Sequence, residues 1–492
     1  MPFLDRLQRW ADERPDSTAV VLAGQRLDWA GLRDAAAGLV PAAPAVTVLA
    51  ADNSLDFAVA FAAALAGERQ CAVLDPSWPQ QLQDAISGRI ADTFPAGPGG
   101  GPGRRPPRGP GRGPADGLTD GLGRGPGDGL TDGPPASPFL IGLTSGTTSV
   151  PKAFTRSRES WRISFDASIE FFGLTAADRT LAPGPLAASL NLYALAECLY
   201  AGSEFHALKQ FDVGDAHAAV SHDGITRLVL VPTMLRLLSE RGLAGGVDAS
   251  GIRSIVCAGS KLDARTLEAA RRWAPNATIF EYYGASELSF VAGAGLRPGQ
   301  EPRLGGTGIG KPFPGVEIRI LDGAGTEVPE GVDGNVCVRS GMVSAGYLWG
   351  DDGRALQCFD GWYTVGDQGY LSDGTLHLLG RRSDMIITAG TNVYPHEVEL
   401  ALASVPGVAS AVAAGLADDL RGQRVVAAVL PSHGGITATQ LKAGVEDVLA
   451  RSKRPLEYFA VTELPLTDRG KLSRQLLLDW IAGSDPRIRR LG

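Results

Sequence analysis

An α/β protein in two parts is what the residue pattern predicts: a large N-terminal domain over 1–380 and a small α+β domain over 381–492. Three observations carry that expectation. The 492 residues exceed what one hydrophobic core usually organises. From Thr18 to about Pro79, short apolar strands alternate with Ala-rich helical stretches. Near Gly380 the pattern changes to a compact alternation of short strands and helices, about 110 residues long and able to form a domain of its own.

The elements follow in order. Residues 1–14 read as an amphipathic helix with Phe3, Leu4, Leu7 and Trp10 on one face. A strand over 46–50, a helix over 55–66 and a strand over 71–74 continue the α/β pattern. Residues 96–138 interrupt it with Gly, Pro, Arg and Asp, and with Asp-Gly-Leu-Thr-Asp-Gly at 116–121 and again at 128–133. That composition buries too little apolar area to offset chain entropy, so a disordered insertion is expected there. Strands are expected at 139–143, 228–231, 252–256, 278–282, 316–321 and 335–339. Between them, Trp161, Phe165, Ile169 and Phe172 repeat at helical spacing over 157–172 and read as core. The small domain is expected to run strand 385–387, helix 395–404, strands 409–414 and 425–430, helix 437–451, strand 459–461 and helix 472–481. The boundary falls at 381–384.

Composition excludes several functions. A net charge of -8 argues against nucleic acid as the main partner. Five scattered cysteines without a CxxC pair suit free thiols in a reducing compartment. The histidines form no HExxH pair, so a histidine metal site is not expected. No run of 18 apolar residues is present to span a membrane, and the N-terminus lacks the apolar core of a secretory signal. A cytoplasmic location is the expectation.

Five segments carry chemistry. At 143–152, Leu-Thr-Ser-Gly-Thr-Thr-Ser-Val-Pro-Lys runs from a strand into a hydroxyl-rich loop that ends on lysine, the groups a polyphosphate tail requires. It is not the usual NTPase loop, because Pro151 stands where glycine precedes the lysine. At 281–287, Glu-Tyr-Tyr-Gly-Ala-Ser-Glu offers an aromatic face for a purine, a hydroxyl, and a carboxylate of the kind Mg²⁺ takes beside phosphate oxygens. Asp367, after a glycine turn, can accept from the vicinal hydroxyls of a ribose. Gly380-Arg-Arg-Ser-Asp and the loop 465–471, ending on Lys471, complete the set. A lysine on such a loop places its charge on an oxyanion when a domain closes. Each segment alone reads more readily as a turn. The Gly-Thr-Gly-Ile-Gly run at 306–310 is a decoy: prolines at 312 and 314 deny it the helix a dinucleotide fingerprint opens.

In this order, over more than 300 residues, the five segments resemble the adenylate-forming superfamily of acyl-CoA synthetases, adenylation domains and luciferases, and most of all a stand-alone acyl-CoA synthetase. The resemblance implies a large N-terminal domain of α/β layers plus a small β-barrel-like part, with a small mobile α+β C-terminal domain hinged near Ser383. It implies ATP-dependent activation of a carboxylic acid, with Mg²⁺, and transfer of the acyl group to the thiol of coenzyme A. The catalytic set would be Lys471, Glu287, Thr147 and Lys152, with Glu287 the metal ligand. Thr144, Ser145, Gly146, Thr147, Thr148 and Lys152 would cradle phosphates. Tyr283 and Gly284, with Ser260 in the turn 258–262, would hold adenine, while Ser286 replaces the family's threonine. Asp367 and Arg381 would bind ribose, and Gly390 would line the pantetheine channel.

The sequence departs from the family pattern at Ser149 and Ala153, where glycines are usual, and at Ala188, where many relatives carry a bulky gate residue. The stretch 180–196 holds no charged residue, which favours a fatty or aryl acid over an amino acid, because a buried ammonium needs a carboxylate. With no carrier domain following residue 492, a modular synthetase is not expected. Two rivals stand: an enzyme that loads a separate acyl carrier protein, and a nucleotide-binding relative without turnover.

Overall fold

Two compact groups of residues organise the computed structural model, which describes residues 3–95, 129–144, 151–301, 307–351, 353–432, 435–466 and 472–492. The first comprises Met1–Pro302, Gly310–Ile318 and Val338–Val365; the second comprises Arg303–Ile309, Arg319–Cys337 and Gly366–Gly492.

The first unit is α/β. Ser254–Cys257 lies parallel to both Arg227–Leu230 and Thr278–Ala285, and Arg179–Leu181 lies parallel to Arg227–Leu230 and Glu204–Ala207. Thr18–Leu22 adds a parallel edge and turns back antiparallel into Gln25–Asp28. Every residue of Arg227–Leu230 is buried, as expected where helices cover both faces of a parallel sheet. The helices Pro232–Gly245 and Ala264–Trp273 supply one cover, packing Leu235, Leu238, Ala270 and Trp273 against Leu228 and Ile255. The Asp263 side chain accepts from Thr266 N–H to start the second of these helices. A separate five-stranded sheet runs Tyr347–Trp349, Lys152–Ser157, Pro138–Thr144, Gln70–Val73, Val46–Leu49. Its core joins Ala72, Ile141 and Ala153 to Ile86, Ile90 and Trp349.

The expectation of disorder over 96–138 is corrected at its end. Leu130, in the second copy of the repeat, is fully buried, and Gln8 in the helix Leu4–Glu13 donates to its carbonyl. Asp5 and Asp132 each donate a backbone N–H to the other's carboxylate, at 3.1 and 3.3 Å. One leucine finding an apolar site is enough to fix the segment around it. Residues 96–128 lie outside the described residues.

In the second unit the strands Val408–Asp418 and Gly422–Pro431 form a long antiparallel pair, with Glu457–Val461 parallel to the latter. Alternation sorts their side chains. Val425, Ala427 and Val429 face Val398, Leu402 and Leu441, whereas Val426 and Ala428 face Leu477 and Trp480. The helices Pro395–Ala403 and Ala438–Val445 therefore cover one face and Arg474–Gly483 the other. The helix expected over 437–451 stops at Val445, because the Arg454 guanidinium takes the carbonyls of Glu446 and Leu449, at 2.5 and 2.9 Å, in place of the next helical amides. No closed barrel is traced by strand pairs among the described residues, and none of their helices is long and apolar enough to cross a membrane.

Candidate active site

The hydroxyl-rich loop leaves the strand Pro138–Thr144 and returns in Lys152–Ser157, so that Thr144 and Lys152 face each other across its stem. Ser145, Gly146, Thr147 and Thr148 lie outside the described residues, as does Lys471. Both stem ends meet the three-residue strand Tyr347–Trp349. Trp349 donates its indole N–H to Pro151 O at 3.1 Å, and the Tyr347 side chain is hydrogen-bonded to that of Thr144.

Glu287 is buried at 8% exposure, and Tyr347 donates its phenolic O–H to the carboxylate. Burial, and then the Glu287 charge, push the Tyr347 phenol above its ordinary range, so it stays protonated as a donor. The turn that carries Glu287 is tied down as well. Arg156, 3% exposed, donates to the carbonyls of Ser286, at 2.5 Å, and Met342. Burial pulls its guanidinium down to about 10, with Glu287 opposing the shift. Ser344 N–H donates to Glu287 O at 2.7 Å. Gly284 is required at its position, because a Cβ there would lie 2.3 Å from Ser289 O. The chain then returns as Ser289–Leu296, a strand antiparallel to Thr278–Ala285 that the hydrophobic pattern does not reveal.

Tyr283 and the turn 258–262 sit at the carboxyl ends of neighbouring parallel strands, where open α/β sheets bind ligands. Cys257 and Glu281 are register partners, and Glu281 staples the turn in place. Its carboxylate accepts from Lys261 Nζ and from Leu262 N–H, both at 2.7 Å. Ser260, just before Lys261, is exposed.

The stretch at Ala188 begins with a turn held by Asn53. This buried amide donates to Gly184 O and Leu208 O, at 3.0 and 2.7 Å, and accepts from Leu186 N–H. Ala188 precedes the helix Ser189–Ala201. Glu197 on that helix is 1% exposed and paired with Arg227 at 2.8 Å, while Ser168 donates to its other oxygen at 2.5 Å.

In the second unit Asp367 and Arg381 are directly opposite on antiparallel strands, Nε to Oδ1 3.3 Å. Asp367 is buried and Arg381 exposed. Ser383 lies in the short turn Arg382–Asp384, where its hydroxyl donates to Asp384 at 3.0 Å. Gly390 shares a two-residue hairpin loop with Ala389; both have positive φ, +79° and +49°, as primed turns require.

The structure thus brings Thr144 and Glu287 to one phenol, sets Lys152 across the stem, fixes Ser286 through Arg156 and pairs Asp367 with Arg381. Residue patterns missed the residues that do the holding, namely Tyr347, Arg156, Asn53 and the Lys261–Glu281 pair. Among the described residues no group of three or more His, Cys, Asp or Glu forms a metal cage. Glu287 fits a magnesium ion that arrives with phosphate, since Mg²⁺ needs only one or two carboxylates there.

Within the first unit, a strand–loop–strand stem and a buried carboxylate meet on one phenol. Among family models, residues 117–348 match the AMP-binding enzyme and residues 397–471 the AMP-binding enzyme C-terminal domain. An uncharacterized acyl-CoA ligase of Bacillus subtilis is 33% identical, covering 71% of this chain and 70% of its own. The indoleacetate-CoA ligase of Aromatoleum aromaticum is 32% identical over 71% and 68%. Among solved structures, o-succinylbenzoate CoA synthetase from Bacillus subtilis with its acyl-adenylate shares the fold at TM-score 0.78 and 23% identity, covering 96% of this chain and 97% of that one. The amide bond synthetase McbA from Marinactinospora thermotolerans matches at TM-score 0.78 and 27% identity, covering 97% and 98%. The chain belongs to the AMP-binding enzyme family. It is an acid–thiol ligase that activates a carboxylic acid with ATP.

Proposed function

We propose that the acid is apolar, fatty or aryl, that the acceptor is coenzyme A, and that the reaction runs in the cytoplasm with Mg²⁺. The observation that carries the site assignment is the meeting of Thr144 and Glu287 on Tyr347, which puts the phosphate-loop stem and the lone carboxylate at one place. When bound, Mg²⁺ supplies charge neutralisation for the triphosphate, and Glu287 would hold it. Ser145, Gly146, Thr147, Thr148 and Lys152 complete the phosphate cradle. Tyr283 stacks the adenine against the turn 258–262, and Asp367 accepts from the ribose with Arg381 beside it.

The substrate carboxylate attacks the α-phosphorus and pyrophosphate leaves. Lys471 stabilises the charge that develops in that step. The domain of 381–492 then turns about Ser383, withdraws the lysine and admits the thiol past Gly390. The thiol sulfur attacks the acyl carbon, its proton is lost to solvent, and AMP departs.

The Glu197–Arg227 pair supports an apolar acid. Glu197 follows the uncharged stretch 180–196 and is already neutralised by Arg227, so it offers nothing to a substrate ammonium. The test is ATP-dependent pyrophosphate release across fatty, aryl and amino acids, with CoA, a holo-carrier protein or an amine as acceptor. Turnover on fatty or aryl acids with CoA supports the reading. Preference for amino acids, or for the carrier, overturns its acid or acceptor half. The similarity to McbA gives the amine arm its place.

A further inference from the structure

We infer that Tyr347 is a positioning residue that sets the Glu287 carboxylate for the metal–nucleotide and couples it to the stem of the phosphate loop. The inference rests on the reading of Glu287 as the metal ligand.

The geometry gives Tyr347 two polar partners from different parts of the chain, Glu287 after the strand Thr278–Ala285 and Thr144 at the end of Pro138–Thr144. Its own backbone is fixed by pairing with Phe154 on the adjacent strand, and its ring stands edge-on to that phenylalanine at 6.1 Å. Thr155 N–H donates to Gly346 O at 3.0 Å and Ala345 N–H to Thr155 O at 2.9 Å, so the residues before Tyr347 are stitched to the same strand. Two residues on, Trp349 takes the other end of the loop at Pro151. A single short strand therefore holds both stems of the phosphate loop and the carboxylate.

A carboxylate ligand needs its orientation set before the ion arrives, because an untethered Glu287 would lose rotamer freedom on every binding event. The Tyr347 donor occupies one carboxylate oxygen, Oε1. The phenol has no charge to neutralise the carboxylate, so it orients the ligand without competing as a cation would. Arg156 acts differently: its donors go to the backbone carbonyls beside Glu287, not to the ligand oxygens.

The test compares Y347F with E287Q in the full chain. Mn²⁺ binding in the presence of saturating ATP is followed by electron paramagnetic resonance, and metal-free ATP binding by calorimetry. Removing the phenol oxygen while keeping the ring is expected to weaken Mn²⁺ by about 10- to 100-fold, as for other partners of metal ligands. The thermal midpoint is expected to fall by a few degrees as Glu287 loses its donor, whereas metal-free ATP affinity should fall by much less than Mn²⁺ affinity, a split that a merely structural role would not give. If E287Q loses Mn²⁺ affinity and Y347F keeps it, the role of Tyr347 is overturned while Glu287 stands. If E287Q keeps full Mn²⁺ affinity, the assignment of Glu287 falls, and this inference with it.

Discussion

Around Glu287 the side chains are buried and held from several directions, by Tyr347, by Arg156 through Ser286 O, and by Ser344 N–H on its carbonyl. Around Ser383 and Gly390 the chain is a short turn and a small hairpin: the segment Arg382–Asp384 buries no residue, Ile387 is 50% exposed and Ala389 takes a positive φ, although Ile386 and Thr388 are buried. The difference is one of what must be satisfied. A buried polar group has to complete its hydrogen bonds or lose free energy, so the Glu287 end is locked in the absence of ligand. Exposed turns have water for a partner, and little resists a change in their dihedrals. The end proposed to meet phosphate is thus the more tightly held of the two.

The comparison is broken most directly by Lys471→Ala. Adenylation, read as pyrophosphate release, is expected to fall by about two to four orders of magnitude, the scale of lost oxyanion stabilisation. Thioester formation from a supplied acyl adenylate should persist, and the thermal midpoint should hold. A variant that loses both half-reactions equally would contradict the assignment of Lys471 to the first alone.

Arg156→Met probes the locked end. It leaves one buried and one part-buried carbonyl without their donor, so unfolding by urea should show a loss of about 1–3 kcal/mol. Nucleotide affinity should weaken with it, because the Ser286–Glu287 turn is freed. Unchanged stability would show that the turn holds itself.

A smaller effect extends the contrast to a half-buried carboxylate held mainly by backbone amides. Burial pushes Asp132 up to about 6. The native state then holds the proton more tightly than the unfolded chain, whose aspartates titrate near about 4. Stability contributed by this group is therefore present below about pH 4 and lost as pH rises through about 6. Asp132→Asn removes the dependence. The thermal midpoint of the variant relative to the parent should climb across that window and level off above it. A difference that stays flat from pH 4 to 7 would exclude a raised Asp132.

The sequence by itself determined a great deal. Its alternation placed the strands that became Val46–Leu49, Gln70–Val73, Ser254–Cys257 and Gly422–Pro431 within a few residues. Motif order identified the adenylating family, because glycines, hydroxyls and charges in fixed local spacing are chemistry written along the chain. Leu130 escaped, since a single leucine in a Gly/Pro tract has no period to read, and only the packed surface it meets decides that it is buried. Tyr347 and Arg156 escaped for a related reason. Their partners are 60 and 130 residues away, and nothing in the local spacing of a tyrosine or an arginine says which distant carboxylate or carbonyl it will reach. Reactive groups were legible because they cluster along the chain, whereas the groups that hold them are chosen by proximity in space, which strand pairing alone creates.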